Sequence, residues 1–217
     1  MTFQLPKVLW SVLSEWKLRD FPWRNTRDPW VILVAETLLQ QTNASAVPDV
    51  FAQLLGQWPT PKTLVNAPSG ELRALIGRLG LQYRADRLQQ MAVDVIQLGG
   101  VPRTREGRLA LKGVGPYIAD AVGVYAFGEH VVPVDSNIIR LTSRLTGWHS
   151  SKARPHTDVK WGKGWNENLP QTGDVCQWNW ALLDFSSAVC RARSPLCREC
   201  PMKMYCIRGE KSQSTSD

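Results

Sequence analysis

The segment that most constrains the fold is residues 109–140, which read LALKGVGPYIADAVGVYAFGEHVVPVDSNIIR. An apolar segment ending at Leu111 is followed by a glycine turn, and a new helix is predicted to begin at Pro116. Glycine adopts turn conformations that other residues resist, and proline suits the first position of a helix. The pattern predicts a hairpin of two helices whose free amides bind phosphate without reading a base. The predicted contact residues are Lys112, Gly113, Val114 and Gly115.

Asp135 is the second constrained position of this segment, in the run PVDSN. A helix is predicted to begin there and to continue to about Leu145. Amide groups and the positive end of the helix dipole favour a negative charge at a helix start. We therefore expect Asp135 to ionise readily.

Both motifs, LxGVGxYxAxAV and VDxNxxR, resemble the helix-hairpin-helix DNA glycosylase superfamily, which contains endonuclease III and the adenine and thymine mismatch glycosylases. The resemblance covers roughly residues 18–206. It implies an all-α fold of two helical lobes with DNA bound at the cleft between them. One lobe would comprise residues 20–133 with the hairpin, and the other residues 1–19 with 134–217. The alternative is an ordinary helix connector followed by an aspartate cap.

The composition is compatible with a DNA-binding protein. The chain has 217 residues, a net charge of +7 and a pI of about 9.4. A basic balance suits a polyanion, although it also occurs in proteins that are simply soluble. No segment approaches the ~20 consecutive apolar residues of a membrane span, and the N-terminal segment has helical spacing rather than the pattern of a signal peptide. We therefore expect no membrane partner.

Apolar residues recur at helical spacing along the chain without strand-like alternation, so the fold class is predicted to be all-α. Ser69 is expected to cap a helix, and Leu98 is expected on an apolar helical face. Residues 147–164 are polar and are predicted to form a long connection, and the tail from Gly209 is predicted to be disordered. The other helices are expected at residues 5–18, 30–42, 47–55, 61–66, 69–76, 84–98 and 174–187.

Four cysteines near the C-terminus have the spacing C-x6-C-x2-C-x5-C; they are Cys190, Cys197, Cys200 and Cys206. Four thiolates at such spacing suit either a [4Fe–4S] cluster or a tetrahedral zinc ion. The resemblance to the glycosylases favours the [4Fe–4S] cluster. Cysteines used for metal rather than for disulfides indicate a reducing compartment, so we expect a cytoplasmic, nucleoid-associated protein. Cys176 lies outside the spacing and is expected to be a buried core thiol.

Glu36 lies in the middle of an apolar helix, in the run VILVAETLL. Burial of a carboxylate is costly without a partner or a function, and desolvation should raise its pKa and favour a proton-donor role. The same helical face is expected to carry Gln40 and Asn43. The resemblance implies that Glu36 faces the base pocket. The alternative is a structural glutamate bonded to the backbone or to an arginine.

The resemblance implies that Asp135 stabilises an oxocarbenium-like transition state or positions the attacking water. The resemblance also implies that Tyr117 distinguishes a monofunctional from a bifunctional reaction. Bifunctional relatives such as endonuclease III carry a lysine at this position, and its amine forms a Schiff base. Tyrosine cannot form one. The chain is therefore expected to be a monofunctional glycosylase that leaves an abasic site. Lys112 replaces the proline usual in LPGVG and is expected to contact phosphate.

A target base must leave the helical stack to reach such a pocket, so another group should fill the gap. By resemblance, this role is expected of two glutamines in LLQQT and of the loop of residues 79–83. Two arginines in the first cysteine loop are expected to offer cations to the DNA backbone. Ordinary solvated surface is the alternative for all of them. The residues concerned are Gln40, Gln41, Leu81, Gln82, Arg191 and Arg193.

The excised base is expected to be thymine or uracil opposite guanine in double-stranded DNA, removed by a monomer. This expectation rests on the resemblance of Tyr117, LGLQYRADRL and LDFSSAVC to the G/T mismatch-specific thymine glycosylases. The adenine glycosylases, which act on adenine opposite 8-oxoguanine or guanine, share LLQQT, Glu36 and FPWR and are the alternative. Asp120 matches neither branch and either alters base selection or faces solvent. A catalytically silent DNA-binding or electron-transfer protein that kept the cluster is a third possibility.

Overall fold

The structure, a computed structural model, describes residues 2–211, and over this range it contains helices and no strand. The predicted all-α class is therefore confirmed for the described residues. Residues 212–217, the end of the tail predicted to be disordered, lie outside them. No helix within the described range is both long enough and apolar enough to cross a membrane. The helices are α1 (Val8–Ser14), α2 (Pro29–Leu39), α3 (Val47–Gln57), α4 (Pro61–Val65), α5 (Ser69–Gly77), α6 (Tyr83–Gln97), α7 (Arg105–Ala110), α8 (Pro116–Phe127), α9 (Ser136–Thr146), α10 (Lys160–Asn168), α11 (Val175–Ala188) and α12 (Ile207–Lys211).

Side-chain caps set where several helices begin. Asp28 and Asp174 each accept hydrogen bonds from two backbone amides at the starts of α2 and α11, as Asp135 does for α9. Thr60 forms a capping box with Thr63 at the start of α4. Such caps satisfy amide donors that have no partner within the helix. The helix start predicted at Asp135 is confirmed.

The chain divides into two compact units, of which one is Asp20–Glu129 and the other comprises the described residues on either side of it. The lobe predicted from the sequence, residues 20–133, begins at the same residue as this unit and ends four residues later. Within Asp20–Glu129, α2 packs against α3, α6 and α8. Leu33 and Val34 in its middle have no exposed surface. The expectation that this apolar helix lies in the core is confirmed.

The core of the other unit is rich in aromatic rings. There α1 packs against α11, α11 against α9, and α9 against α12. The ring of Phe3 lies 5.6 Å from that of Trp148, 6.1 Å from that of Trp161 and 6.0 Å from that of Trp165, measured between centroids. Large aromatic side chains bury much apolar area each, so they dominate the packing energy of such a core.

Helix α10 begins where the sequence predicted a polar connection, so that prediction is wrong for its C-terminal part. Trp161 and Trp165 lie one helical turn apart and are at most 2% exposed. Gly164 packs beneath Phe3, since a Cβ at this position would lie 2.6 Å from the ring. The polar composition of residues 147–164 indicated a loop, and glycine itself disfavours a helix. Burial of the two tryptophans outweighs that preference, which a local pattern does not reveal.

The helices α1 and α2 are both shorter than predicted. Helix α1 begins after Pro6, because the residue before a proline is disfavoured in the helical conformation, and it ends at Ser14. Helix α2 ends at Leu39 because Gln40 has a ψ of 120° and Gln41 has a φ of 53°. Neither conformation continues a right-handed helix.

Three other positions also differ from the prediction. Ser69 is the first helical residue of α5 and not its cap. Leu98 is 57% exposed, because the chain turns away after α6 at Gly99, which has a φ of 73°. Gly209 lies in α12 and packs closely on the Lys203 carbonyl, which a Cβ would approach to 2.5 Å. The disorder expected from Gly209 therefore does not begin there.

Two arginines of α7 bind residues of α8 and of the segment after it. Arg105 is partly exposed and forms an ion pair with Asp120, so Asp120 is paired across the two helices rather than simply facing solvent. Arg108 has no exposed surface. Its guanidinium donates to the Ala119 carbonyl at 2.8 Å and to the Glu129 carboxylate at 2.6 Å. Both arginines hold the two helices together.

Replacement of Arg108 by methionine should lower the free energy of unfolding by about 2 kcal/mol, because it removes the buried donor to the Ala119 carbonyl and to the partly exposed Glu129 carboxylate. Arg105→Met is the matched control, since it removes a more exposed pair on the same helix and should cost less than about 1 kcal/mol. Urea denaturation measures both values. Equal losses in the two variants would show that the buried guanidinium has no special part in the fold.

Candidate functional site

The connection between α7 and α8, residues 111–115, forms the predicted turn of a helical hairpin. Gly113 has a φ of 82°, a conformation that favours glycine, and a Cβ there would lie 3.2 Å from the Arg87 side chain. Gly115 has an ordinary φ of −97° and precedes α8 without a side-chain cap, in open space. The turn therefore requires only the first of the two glycines. The start of α8 at Gly115 is open to an anionic ligand.

The predicted phosphate-binding residues of this turn differ in which hydrogen-bond donors are available to a ligand. The Lys112 amide donates to Asp94 at 3.0 Å, and the Val114 amide donates to the Leu111 carbonyl at 3.1 Å. Both amides are therefore used within the protein, which corrects the expectation that the amides of the turn are free. Val114 is buried, whereas Lys112 is exposed. Lys112 can contact a phosphate through its side chain.

Asp135 is held at both carboxylate oxygens. Its Oδ1 accepts hydrogen bonds from the backbone amides of Asn137 at 2.9 Å and Ile138 at 2.8 Å. Its Oδ2 accepts a hydrogen bond from the side-chain amide of Asn137. Three donors therefore fix the orientation of the carboxylate at the start of α9.

The pKa of Asp135 is raised above its ordinary value, which contradicts the expectation that this group ionises readily. Burial is the main cause, because it removes water from the carboxylate. Hydrogen bonds from Ile138 and Asn137 and the positive charge of Arg140 lower the pKa, but they do not compensate. The hydrogen bonds at the helix start lower the pKa as predicted, but burial raises it by more. An anion in such surroundings interacts strongly with a positive charge brought to it.

A chain of hydrogen bonds connects Asp135 with the first of the clustered cysteines. Asn137, which donates to Asp135, accepts a hydrogen bond from Arg140 at 2.9 Å. Arg140 also donates to the backbone carbonyls of Ser186 at 3.0 Å and Cys190 at 2.8 Å. Arg140 therefore positions Asn137 and, through it, the carboxylate. The sequence motif contained this arginine, but its role was not predicted.

Arg144 binds the beginning of the cysteine loop. It donates to the carbonyls of Cys190, Arg191 and Ala192 and lies 3.6 Å from the sulfur of Cys190. Two arginines of α9 thus hold the segment that begins at Cys190. Sequence reasoning missed Arg144, because nothing in the sequence distinguishes an arginine bound to carbonyls from a solvated one.

The four clustered cysteines line one cavity together with apolar side chains such as Leu141 and Phe185; they are Cys190, Cys197, Cys200 and Cys206. The pKa of the Cys200 thiol is raised to about 11 by burial and by the other three cysteines. Among the side chains that the structure describes, no three His, Cys, Asp or Glu residues are arranged as a group that could hold a metal ion. The chemistry of the donor set nevertheless fits an iron–sulfur cluster or zinc. Cys176 is buried elsewhere, as predicted.

Glu36 is buried in the middle of α2, as predicted, with 4% of its surface exposed. Helix α2 packs against α8, which carries Tyr117 in its first turn. Gln40 and Asn43, expected on the helical face of Glu36, lie beyond the end of α2. That part of the expectation is wrong. The raised pKa expected for Glu36 stays a prediction.

The side chains expected to contact DNA outside the hairpin all reach the surface. Arg191, whose guanidinium also donates to the Ala188 carbonyl at 2.8 Å, is exposed. The other exposed residues are Gln41, Gln82 and Arg193, and the partly buried ones are Gln40 and Leu81. Arg84, which has no exposed surface, donates hydrogen bonds to the carbonyls of Gln40 and Leu81. Its burial was not predicted, because arginine is rarely buried.

Asp135→Asn should preserve the two backbone cap bonds, since asparagine caps as well as aspartate does, but it loses the acceptor to which the Asn137 side chain donates. It also removes the cost of a desolvated charge. Because the folded-state pKa of Asp135 is raised, its ionisation lowers wild-type stability as the pH rises from the ordinary aspartate range through that pKa. We expect the melting temperature of the variant, relative to that of the wild type, to rise from acidic to neutral pH. Thermal melting over a pH series measures this. A relative melting temperature that stays constant or falls over this range would contradict the burial argument.

Comparisons with known proteins show the family of this chain. Residues 34–167 match the HhH-GPD superfamily base excision DNA repair protein family. The chain is 40% identical to thymine-DNA glycosylase of Aeropyrum pernix over 87% of this chain and 86% of the relative. It is 33% identical to adenine DNA glycosylase of Mycobacterium tuberculosis over 85% of this chain and 61% of the relative. The solved structure of a thermostable thymine-DNA glycosylase matches with a TM-score of 0.85 and 35% identity, covering 94% of this chain and 95% of that chain.

These similarities cover most of the chain, as the resemblance over residues 18–206 implied. They confirm that resemblance and the enzyme class that it implied, a DNA glycosylase that hydrolyses N-glycosidic bonds. The chain belongs to the HhH-GPD superfamily of base excision DNA repair proteins.

Proposed function

We propose that this protein is a monofunctional DNA glycosylase that removes thymine or uracil opposite guanine from double-stranded DNA. The proposal rests mainly on the surroundings of Asp135. Three donors fix its carboxylate, and burial of this carboxylate raises its pKa. The choice of base is supported by the similarity to thymine-DNA glycosylases. The proposal includes action as a monomer, in the cytoplasm and at the nucleoid.

In the proposed reaction, water adds to C1′ of the deoxyribose as the N-glycosidic bond breaks, and the base leaves with a proton. The sugar becomes oxocarbenium-like, and the Asp135 carboxylate stabilises its positive charge or positions the water. Asn137 and Arg140 hold the carboxylate in place before the substrate arrives. Little reorganisation is then needed as the charge develops.

Glu36 is the proposed proton donor to the leaving base. It is buried in α2 among apolar residues, a setting in which a carboxyl group tends to hold its proton. Protonation of a leaving base lowers the charge that it must carry away. A glutamate with a purely structural role would leave the base to depart as an anion.

Tyr117 supports a monofunctional reaction. It occupies the first turn of α8, where bifunctional relatives are expected to carry a lysine. A phenol cannot form a Schiff base with the sugar, so water remains the nucleophile and the DNA strand is not cut. The product is then an abasic site.

Binding of the DNA backbone is assigned to the open start of α8 and to exposed cations. Lys112 lies beside the hairpin turn, and Arg191 and Arg193 lie in the cysteine loop. A net charge of +7 supports the same ligand class. Contacts of this kind release counterions, so affinity should fall steeply as salt is raised.

Removal of adenine opposite 8-oxoguanine or guanine is the second candidate. The run LLQQT, with Gln40 and Gln41 at the end of α2, favours it, as does the similarity to an adenine DNA glycosylase. The similarity to thymine-DNA glycosylases is higher and covers most of both chains, which is why thymine or uracil is preferred.

We also propose that the four cysteines of the C-terminal loop hold a [4Fe–4S] cluster. The supporting observation is that Cys190, Cys197, Cys200 and Cys206 line one cavity, next to a loop that Arg144 binds at its start. When bound, the cluster would cross-link the segment through four thiolates. Its proposed role is to hold the loop that carries Arg191 and Arg193.

The proposed function is tested with labelled duplexes that contain T:G, U:G, A:8-oxoG or A:G, incubated with protein and analysed with and without alkali. We expect cleavage after alkali only, at T:G and U:G, and a loss of at least about 100-fold in Asp135→Asn. Cleavage confined to the adenine duplexes would establish the second candidate instead. Strand breaks without alkali would contradict the role given to Tyr117.

The cluster proposal is tested by replacing Cys200 with alanine, which removes one of the four ligands. We expect protein-bound iron and acid-labile sulfide to be lost and the melting temperature to fall, since ligand binding to the folded state stabilises it. Cys176→Ala is the matched control and should keep the protein-bound iron and the acid-labile sulfide. Stoichiometric zinc in place of iron in the wild type would contradict the proposed cofactor.

A further inference from the structure

Helix α2 ends in a turn that holds Gln41 in a conformation unfavourable for a residue with a side chain. The Thr42 amide donates to the Leu39 carbonyl at 3.2 Å, which closes a four-residue turn. Gln40 has a φ of −55° and a ψ of 120°, and Gln41 has a φ of 53°. These angles are those of a type II turn, whose third residue is usually glycine or asparagine. Within the described range, only one other non-glycine residue, Ser194, has a positive φ.

Arg84 holds this turn from the interior of the protein. It lies at the start of α6 and has no exposed surface. Its guanidinium donates to the Leu38 carbonyl at 2.7 Å and also to the Gln40 carbonyl. The last carbonyls of a helix lack partners within the helix, and this end of its dipole is negative. A buried cation therefore stabilises the end of α2 and fixes the peptide between Gln40 and Gln41.

The backbone of Arg84 holds a second segment. Its amide donates to the Leu81 carbonyl at 3.1 Å, and Gln82 precedes α6 directly. One residue thus binds the turn of Gln40 and Gln41 through its side chain and the loop of residues 79–83 through its main chain. These are the two segments expected to contact unstacked DNA.

We propose that Arg84 is a positioning residue that holds Gln41 in the orientation in which its side chain enters the DNA base stack. Gln41 is exposed, so packing does not explain why it keeps a positive φ. Strain retained at an exposed polar position indicates a function for the orientation of that side chain. Without the guanidinium, the peptide is free to relax and the Gln41 side chain moves. The inference rests on the proposed function, because it takes duplex DNA as the ligand.

The test uses a duplex with a tetrahydrofuran abasic analogue opposite guanine and 2-aminopurine beside it, whose fluorescence rises when a side chain unstacks it. We expect wild-type binding to raise the fluorescence. Arg84→Lys and Gln41→Ala should each reduce this rise about fivefold, and the double variant should reduce it no further. Arg73→Lys, which changes an exposed arginine paired with Asp86, is the matched control and should behave as wild type. Reductions that multiply in the double variant, or a wild-type response in Arg84→Lys, would overturn the proposal.

Gln41→Gly tests the same proposal without altering Arg84, in case Arg84→Lys does not fold. Glycine accepts a positive φ, so this variant should melt at or above the wild-type temperature while losing the fluorescence rise. A full rise in Gln41→Gly would overturn the proposal by itself.

The abasic analogue separates this inference from the proposed function, because hydrolysis of the N-glycosidic bond leaves an abasic site whichever base is removed. If the wild type unstacks the probe through Arg84 and Gln41 but excises neither thymine nor uracil, the proposed substrate is wrong and the inference stands. If the wild type excises thymine and the two residues are not coupled, the inference is wrong and the proposed function stands.

Discussion

Arginine side chains that donate to backbone carbonyls hold the irregular segments of this all-helical protein. Arg84 binds the end of α2, Arg108 binds the Arg103 carbonyl before α7, and Arg140 and Arg144 bind the start of the cysteine loop. A helix leaves its last carbonyls without partners, and a loop has no ladder of backbone hydrogen bonds. A guanidinium group has five donors in a fixed plane and can serve several carbonyls at once. Loops held in this way can keep a conformation that their own sequence would not maintain.

Inside the unit that contains Asp135, such an arginine belongs to a chain of hydrogen bonds between the cysteine loop and the carboxylate. The carboxylate is oriented by Asn137, which is oriented by Arg140, which is bound to the carbonyl of Cys190. Two residues, Arg140 and Asn137, thus connect the beginning of the cysteine loop with the carboxylate. Burial raises the pKa of Asp135, so the ionised carboxylate is disfavoured there, although the helix start alone favours ionisation. A site that costs stability in the absence of substrate is typical of a catalytic group.

The sequence predicted those features that depend on local patterns. The all-α class, the helix start at Asp135 and the burial of Glu36 all follow from helical spacing and capping preferences. Helix α10 could not be predicted, because Trp161 and Trp165 are buried by residues distant in the chain. The direction of the pKa shift at Asp135 depends on how much protein surrounds the carboxylate, which a motif does not contain. The partners of Arg84 and most partners of Arg108 and Arg144 are backbone carbonyls, and every residue has one, so no sequence signal marked these arginines.

We propose that this chain hydrolyses an N-glycosidic bond with the ionised carboxylate of Asp135. The single-turnover rate of thymine excision from a T:G duplex, measured at saturating protein from neutral to acidic pH, tests this proposal. We expect the rate to fall as the pH is lowered through a pKa above the ordinary aspartate value of 3.8, because protonated Asp135 cannot stabilise the sugar cation. A rate that stays constant through that range, or thymine that is excised equally well without the carboxylate, would contradict it.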